Sequence, residues 1–178
     1  MRVVAGRFGG RRLAAPRGTG TRPTSDRVRE ALFSLLGPLE GLRVLDLFAG
    51  SGALGIEALS RGAAEATLVD SAPRAVRAIG DNLRALGIEG ATVARQDARA
   101  FIRKASAAGR QYDLVFLDPP YRRAAGLGPE LARALPDVLA PGARVASESD
   151  RRSPLELALT VGVERRYGDT LIRIHESQ

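Results

Sequence analysis

The stretch RVLDLFAGSGALG, residues 43–55, decides how this chain folds. Its first six residues are apolar except for Arg43 and Asp46, the pattern of a strand buried on both faces. Gly50, Gly52 and Gly55 follow in G-x-G-x-x-G spacing, and a helix over about 53–61 comes next. Glycines at a strand-to-helix turn let the backbone approach a ligand at the helix N-terminus. On its own the spacing fits NAD(P), FAD and S-adenosylmethionine equally, and it also fits a tight turn that binds nothing.

Downstream, the rhythm of that stretch repeats. Strands are predicted at 66–70, 91–96, 112–118 and 143–149. Helices are predicted at 73–87, 98–107 and, around Pro136, 128–139, with a loop after residue 118. Such alternation gives a parallel sheet covered by helices on both faces. Residues 157–176 read instead as two strands about the turn pair Gly168-Asp169. The expectation is an α/β fold with a mostly parallel seven-stranded sheet that ends in an antiparallel hairpin. That ending is characteristic of Rossmann-like S-adenosylmethionine-dependent methyltransferases, whereas a flavodoxin-like domain would end in a helix.

Upstream, Val28, Ala31, Leu32, Leu35 and Leu36 form one apolar stripe of a helix that Thr24 would cap and Gly37-Pro38 would stop. Arg27, Arg29 and Glu30 fall largely off this stripe. Residues 2–15 hold two short β-compatible runs around Gly6 to Gly10, a hairpin that must dock on something to be stable. The expected organisation is a basic N-terminal hairpin arm over 1–20 and one catalytic domain over 21–178.

Composition narrows the chemistry. The 178 residues suffice for one core without staples. Cysteine is absent and His175 is the only histidine, which leaves no thiolate chemistry and little room for a His-based triad or a zinc centre, so no metal is expected. The apolar run near the start is too short for a signal peptide, and a soluble cytoplasmic protein is the expectation. The net charge is +7, and residues 1–30 carry eight arginines against Asp26 and Glu30. The other 148 residues are nearly balanced, with 19 basic and 18 acidic groups. A basic arm on a near-neutral body suggests a polyanionic partner such as nucleic acid, and the bland alternative is a solvated leader. Arginine, which forks onto phosphate and stacks on bases, supplies all of that charge. Arg22 to Arg29 would belong to the start of a helix packed on the catalytic domain, with part of their charge facing the cofactor cleft.

Three strand ends carry acids. Asp70 closes the second strand, where a carboxylate can accept both ribose hydroxyls of a nucleoside cofactor. Asp97 follows the third and would hold an adenine amine, although such acids often only cap the next helix. After the fourth strand comes Asp118-Pro119-Pro120-Tyr121. The two prolines fix the backbone and offer carbonyls without a competing N–H. A base amine is a poor nucleophile because its lone pair is delocalised into the ring. Accepting its hydrogens on the Asp118 carboxylate and the Pro119 carbonyl would localise that pair, while Tyr121 stacks on the base. The alternative is a rigid turn after a strand.

At these residues the chain resembles the bacterial 16S rRNA guanine-N2 methyltransferases that carry an Asp/Asn-Pro-Pro-Phe/Tyr motif. The resemblance runs through RVVAGRFGGRRL near the start, RPTSDRVREALFSLL (22–36), RVLDLFAGSGALGIEALSRGA (43–63) and FLDPPYR (116–122), and it weakens in the C-terminal third. It implies methyl transfer from S-adenosylmethionine to guanine N2 of 16S rRNA in an assembled or assembling small ribosomal subunit. Separately from the resemblance, a monomer is the expectation. By position the resemblance implies that Asp46, Phe48, Gly50 and Gly52 are cofactor-loop residues, Asp70 the ribose acid and Asp97 the adenine contact. Thr24 and Arg22 would lie by the methionine end of the cofactor, and Asp118, Pro119 and Tyr121 would be catalytic. Many relatives carry Glu where this chain has Asp70. The arm then becomes an RNA grip through Arg2, Arg7, Arg11, Arg12 and Arg17, with Arg122 and Arg123 clamping phosphate near the target base or merely solvated. A methyltransferase acting on adenine N6 or another amine would use the same acceptor set. An NAD(P)-dependent oxidoreductase would explain the glycines and Asp70 but has no use for the Asp-Pro-Pro-Tyr motif.

Overall fold

The structure, a computed structural model, describes residues 1–16 and 25–177, apart from the side chains of 121–125. Its elements are α1 (Asp26–Leu36), β1 (Arg43–Leu47), α2 (Ala53–Ser60), β2 (Glu65–Asp70), α3 (Pro73–Leu86), β3 (Ala91–Arg95), α4 (Ala98–Ala107), β4 (Tyr112–Leu117), α5 (Tyr121–Ala134), a 3-10 turn (Leu135–Val138), β5 (Leu139–Asp150), β6 (Thr160–Tyr167) and β7 (Thr170–Glu176). The seven strands lie in the order β3-β2-β1-β4-β5-β7-β6, and β7 runs antiparallel between β5 and β6. This is the expected Rossmann-like sheet with its antiparallel ending.

Strand periodicity explains the two layers. Side chains alternate across the sheet, so Val44, Leu68, Leu114 and Phe116 pack with α1, α2 and α3. Leu45, Leu47, Val69, Val115 and Leu117 pack on the other face with α4 and α5. The central strands β1 and β4 are therefore apolar on both faces, and an exception such as Asp46 stands out.

Several expectations are corrected. The cap of α1 is Ser25, whose Oγ accepts from Val28 N at 3.3 Å, while Thr24 lies outside the described residues. The buried face of α1 is Arg29, Leu32, Phe33 and Leu36, rotated from the purely apolar stripe. Arg29 is inside because its guanidinium donates to the Arg2 carbonyl and to Asp26, both at 2.6 Å, so its charge does not face a solvent cleft. Phe33 meets Phe116 with ring centroids 5.6 Å apart. The segment after Pro120 is helix, not loop, and α5 ends at Ala134 where the Pro136 turn begins. Gly126, Gly128 and Pro129, all poor helix formers, conceal that helix in the sequence. Strand β5 starts at Leu139, and its register with β4 shifts between the Tyr112–Leu139 and Leu114–Arg144 pairs.

The N-terminal segment does form a hairpin, a short one in which Val3 N donates to the Arg11 carbonyl at 2.9 Å, Gly10 N to the Val3 carbonyl at 2.8 Å and Leu13 N to the Met1 carbonyl at 3.0 Å about the Arg2–Arg12 pair. Its stability comes from docking. Val4 N and Ala5 N donate to the buried Glu57 carboxylate at 2.6 and 3.0 Å. Arg7 N donates to the Ser60 carbonyl at 2.7 Å, and Phe8 N to Ser60 Oγ at 2.9 Å. Ala14 N bonds Asn82 Oδ1 at 2.8 Å, and Val3 and Leu13 join the core. Gly6 has φ +79°, and a Cβ there would lie 1.9 Å from the Ser60 carbonyl oxygen. Gly6→Ala is therefore expected to lift the tip off α2 at a cost of about 1–3 kcal/mol. Hydrogen exchange should show the amides of Val4, Ala5 and Phe8 losing protection while β1 and β4 keep theirs. Unchanged protection at those three amides would show that the contact does not hold the arm.

Candidate active site

The carboxyl ends of β1, β2 and β4 form one edge, where ligands of open α/β sheets bind. At the end of β1, Asp46 is buried and its Oδ2 accepts from Gly55 N at 2.9 Å. This bond folds the first turn of α2 back onto the strand. The three glycines between them have different tasks. A Cβ at Gly52 or at Gly55 would lie 2.9 Å from Leu68 Cδ2, so both serve the packing of α2 on β2. Gly50 has no heavy atom nearer than 3.9 Å to its Cβ position, which leaves it open to a ligand. Phe48, with φ 65°, is the only non-glycine with positive φ among the described residues, a strained conformation of the kind found at binding loops.

The acids on neighbouring strands are fixed by backbone donors. Asp70 Oδ2 accepts from Gly50 N at 2.9 Å and Oδ1 from Ala72 N at 2.8 Å. A carboxylate oxygen has two lone pairs, so each can take a further hydroxyl. Asp97 caps α4, with Oδ1 accepting from Arg99 N at 3.0 Å and Ala100 N at 3.2 Å. Its partial burial raises its pKa, but the Ala100 amide and Arg99 outweigh that and hold the carboxyl below its usual range. Thus Asp97 does cap the next helix, and it stays half-exposed at the edge.

Asp118 directly follows β4. Burial first, then the charges of Glu148 and Asp46, push its carboxyl well above the usual range. Asp46 is pushed up to about 7 by burial, with Asp70 adding to the rise and the Gly55 N–H opposing it. Glu148 is the member that sequence reasoning missed. It lies on β5, 6% exposed, and because Leu117 pairs with Ser147 it stands level with Asp118. An acid in a strand predicted to be covered on both faces was the signal that could have found it. The buried Asp46 and Glu148 and the half-buried Asp118 thus form an acidic group that favours a cation. Among the described residues no cluster of His, Cys, Asp and Glu is arranged to hold a metal ion. His175 is buried with Nε2 3.2 Å from Ser147 Oγ, and burial lowers its pKa.

Of the other expected site residues, Pro119 is buried beside Asp118. Arg17, Arg22 and Thr24 lie outside the described residues, as do the side chains of Tyr121, Arg122 and Arg123. Arg2 pairs with Asp26 at 3.0 Å, and Arg7, Arg11 and Arg12 are exposed. Met1 Sδ lies 3.8 Å from Ser51 Oγ, so the arm begins against the glycine turn of the site.

The pKa of Asp46 has a consequence for stability. The folded chain binds this proton more tightly than the unfolded chain, so stability from this group falls as pH rises from about 4 through about 7. Asp46→Asn keeps an acceptor for Gly55 N but removes the titration. Its melting temperature relative to the parent should therefore rise between pH 5 and pH 8. A difference that stays constant over that range would contradict the assignment.

Comparisons with known proteins agree with the motifs. The family model described as Conserved hypothetical protein 95 matches residues 1–176. Ribosomal RNA small subunit methyltransferase D of Escherichia coli (strain K12) is 43% identical over 138 residues, which cover 77% of this chain and 67% of that protein. The solved structure of a hypothetical protein from Thermus thermophilus superposes with a TM-score of 0.86 at 34% identity, covering 99% of both chains. With its arm, its α1 segment, its glycine turn and its Asp-Pro-Pro-Tyr edge all inside the matched span, the chain belongs to the Conserved hypothetical protein 95 family, the family of ribosomal RNA small subunit methyltransferase D.

Proposed function

We propose that this protein is an S-adenosylmethionine-dependent rRNA methyltransferase whose target is the exocyclic N2 amine of a guanine in 16S rRNA. We further infer that it acts as a monomer, in the cytoplasm, on the assembled or assembling small subunit. The observation that carries the reading is Asp118, held at the end of β4 beside Asp46 and Glu148. A cationic nucleoside suits this edge. Asp70 keeps acceptor capacity for ribose hydroxyls, Asp97 for an adenine amine, and Gly50 leaves room for close approach. The bound cofactor would supply an electrophilic methyl on a sulfonium, whose positive charge favours the ionised form of nearby carboxylates.

The protein's own part is to prepare the amine. The Asp118 carboxylate and the Pro119 carbonyl accept its two N–H bonds, which turns the nitrogen lone pair out of conjugation and toward the methyl. The amine loses one proton in the reaction, and a carboxylate with an elevated pKa is a better acceptor for it than an ordinary one. Tyr121 supplies a flat face for the base, and the arm arginines hold the RNA backbone.

Asp118→Ala should bind S-adenosylmethionine within a few-fold of the parent in calorimetry yet lose about 100-fold or more of methyl transfer. Near-normal turnover would remove Asp118 from the mechanism. Tyr121→Phe should be mild and Tyr121→Ala severe on RNA-dependent activity, since the ring does the stacking. The target is tested by methylating small subunits from a strain that lacks this protein and mapping the modified base by mass spectrometry. A methyl found on adenine, or on protein, would reject guanine N2.

A further inference from the structure

The arm does more than carry charge to the active site. It runs the length of α2, from Ser51 beside the glycine turn to Ser60 at the other end of the helix. Its tip therefore reaches the amino ends of β2 and β3, the edge opposite to the one that holds Asp118. β2 has six residues, so the two edges are on the order of 20 Å apart. At this distal edge the tip walls a cleft of about 390 Å³ with Arg7, Phe8, Ala64, Gly87, Glu89 and Gly90 among its lining.

Three features make this cleft a built site. The tip is fixed, because Arg7 N and Phe8 N both bond Ser60 and Gly6 has no Cβ to hold it off. The Arg7 guanidinium lies over the Phe8 ring at 5.2 Å from its centroid, an aromatic–cation pair on which a planar base stacks. Across the cleft Glu89 is an exposed acceptor, and carboxylates take hydrogens from the N–H edges of bases. The volume falls within the range of about 300–1,000 Å³ typical of small-ligand pockets.

We propose that this cleft binds one unpaired nucleotide of the RNA substrate, remote from the methylated base, with its base stacked on the Arg7–Phe8 pair and its N–H edge toward Glu89. This rests on the reading of the protein as an rRNA methyltransferase. The site acts as a ruler: it fixes how far along the RNA a second, unpaired position must lie from the target. It adds to substrate affinity and leaves the chemistry alone.

The test is steady-state methylation of small subunits from a strain lacking this protein. Phe8→Leu keeps an apolar side chain on the core but removes the flat face, and it should raise the KM for RNA about five- to tenfold, the lower end of what one stacked base contributes. Ala64→Phe, which fills the cleft without touching the anchors of the arm, should do the same. Glu89→Gln should raise it two- to threefold. In all three, kcat and S-adenosylmethionine binding should stay within about twofold of the parent. A subunit carrying photoreactive nucleotides should crosslink to the peptide containing Phe8. If the parent methylates rRNA but Ala64→Phe and Glu89→Gln leave KM unchanged, the cleft takes no nucleotide. A crosslink from this peptide to a ribosomal protein instead of RNA would also overturn the proposal. A parent that methylates no rRNA at all would fail the functional reading itself, a separate outcome.

Discussion

The hydrogen bond from Gly55 N to the buried Asp46 carboxylate is the constraint on which the rest of the site depends. It joins the end of a central strand to the first turn of α2 and so fixes the path of the chain between them. That path places Gly50 against Asp70 and holds Phe48 in its strained backbone conformation. The turn closes this tightly only because Gly52 and Gly55 both present bare backbone to Leu68. A carboxylate is an expensive anchor in such a place, since burial and the neighbouring Asp70 drive it toward its neutral form. The same cost prepares the edge for a cation, because a positive group among Asp46, Asp118 and Glu148 relieves a repulsion already present.

A second buried carboxylate organises the opposite side of α2. Glu57 is fully buried and accepts from Val4 N, Ala5 N and Arg61 Nε. Removing one member of so enclosed a set leaves the others uncompensated, typically at about 3–5 kcal/mol. Arg61 also lies over the Phe33 ring at 4.8 Å from its centroid, so the anchor reaches α1. Arg29 completes the tie by bonding the Arg2 carbonyl and Asp26 from inside the core. The basic arm is thereby part of the packed body over residues 1–16, with Val3 and Leu13 in the main core.

Much of this is legible in the sequence. The alternation of apolar runs from Arg43 onward locates the strands, and the Gly168-Asp169 turn locates the antiparallel ending. Where local signals compete, the reading fails. Gly126, Gly128 and Pro129 mask α5, because their low helix propensity is overridden by packing on β5 and the 3-10 turn. Arg29 reads as an exposed residue because hydrophobicity alone cannot see that a guanidinium will find two acceptors inside. The glycine spacing marks the turn as special, but only the neighbours in space separate Gly50, open to a ligand, from Gly52 and Gly55, pressed on Leu68.

By itself, then, the sequence determined the fold class, the edge of the sheet that carries the acids, and the Asp-Pro-Pro-Tyr motif that gives the edge a chemistry. These follow from periodicity and residue type, which act over a few neighbours along the chain. Only the tertiary structure decided which acids meet. Glu148 stands beside Asp118 because β5 pairs with β4 in one register, and a strand one residue out of step would turn that side chain to the other face. It also decided that the arm lies along α2 and carries Arg7 and Phe8 to the far edge, since those contacts join residues more than fifty positions apart. Long-range pairing of this kind is set by burial and by the need to satisfy buried polar groups, neither of which is written in local pattern.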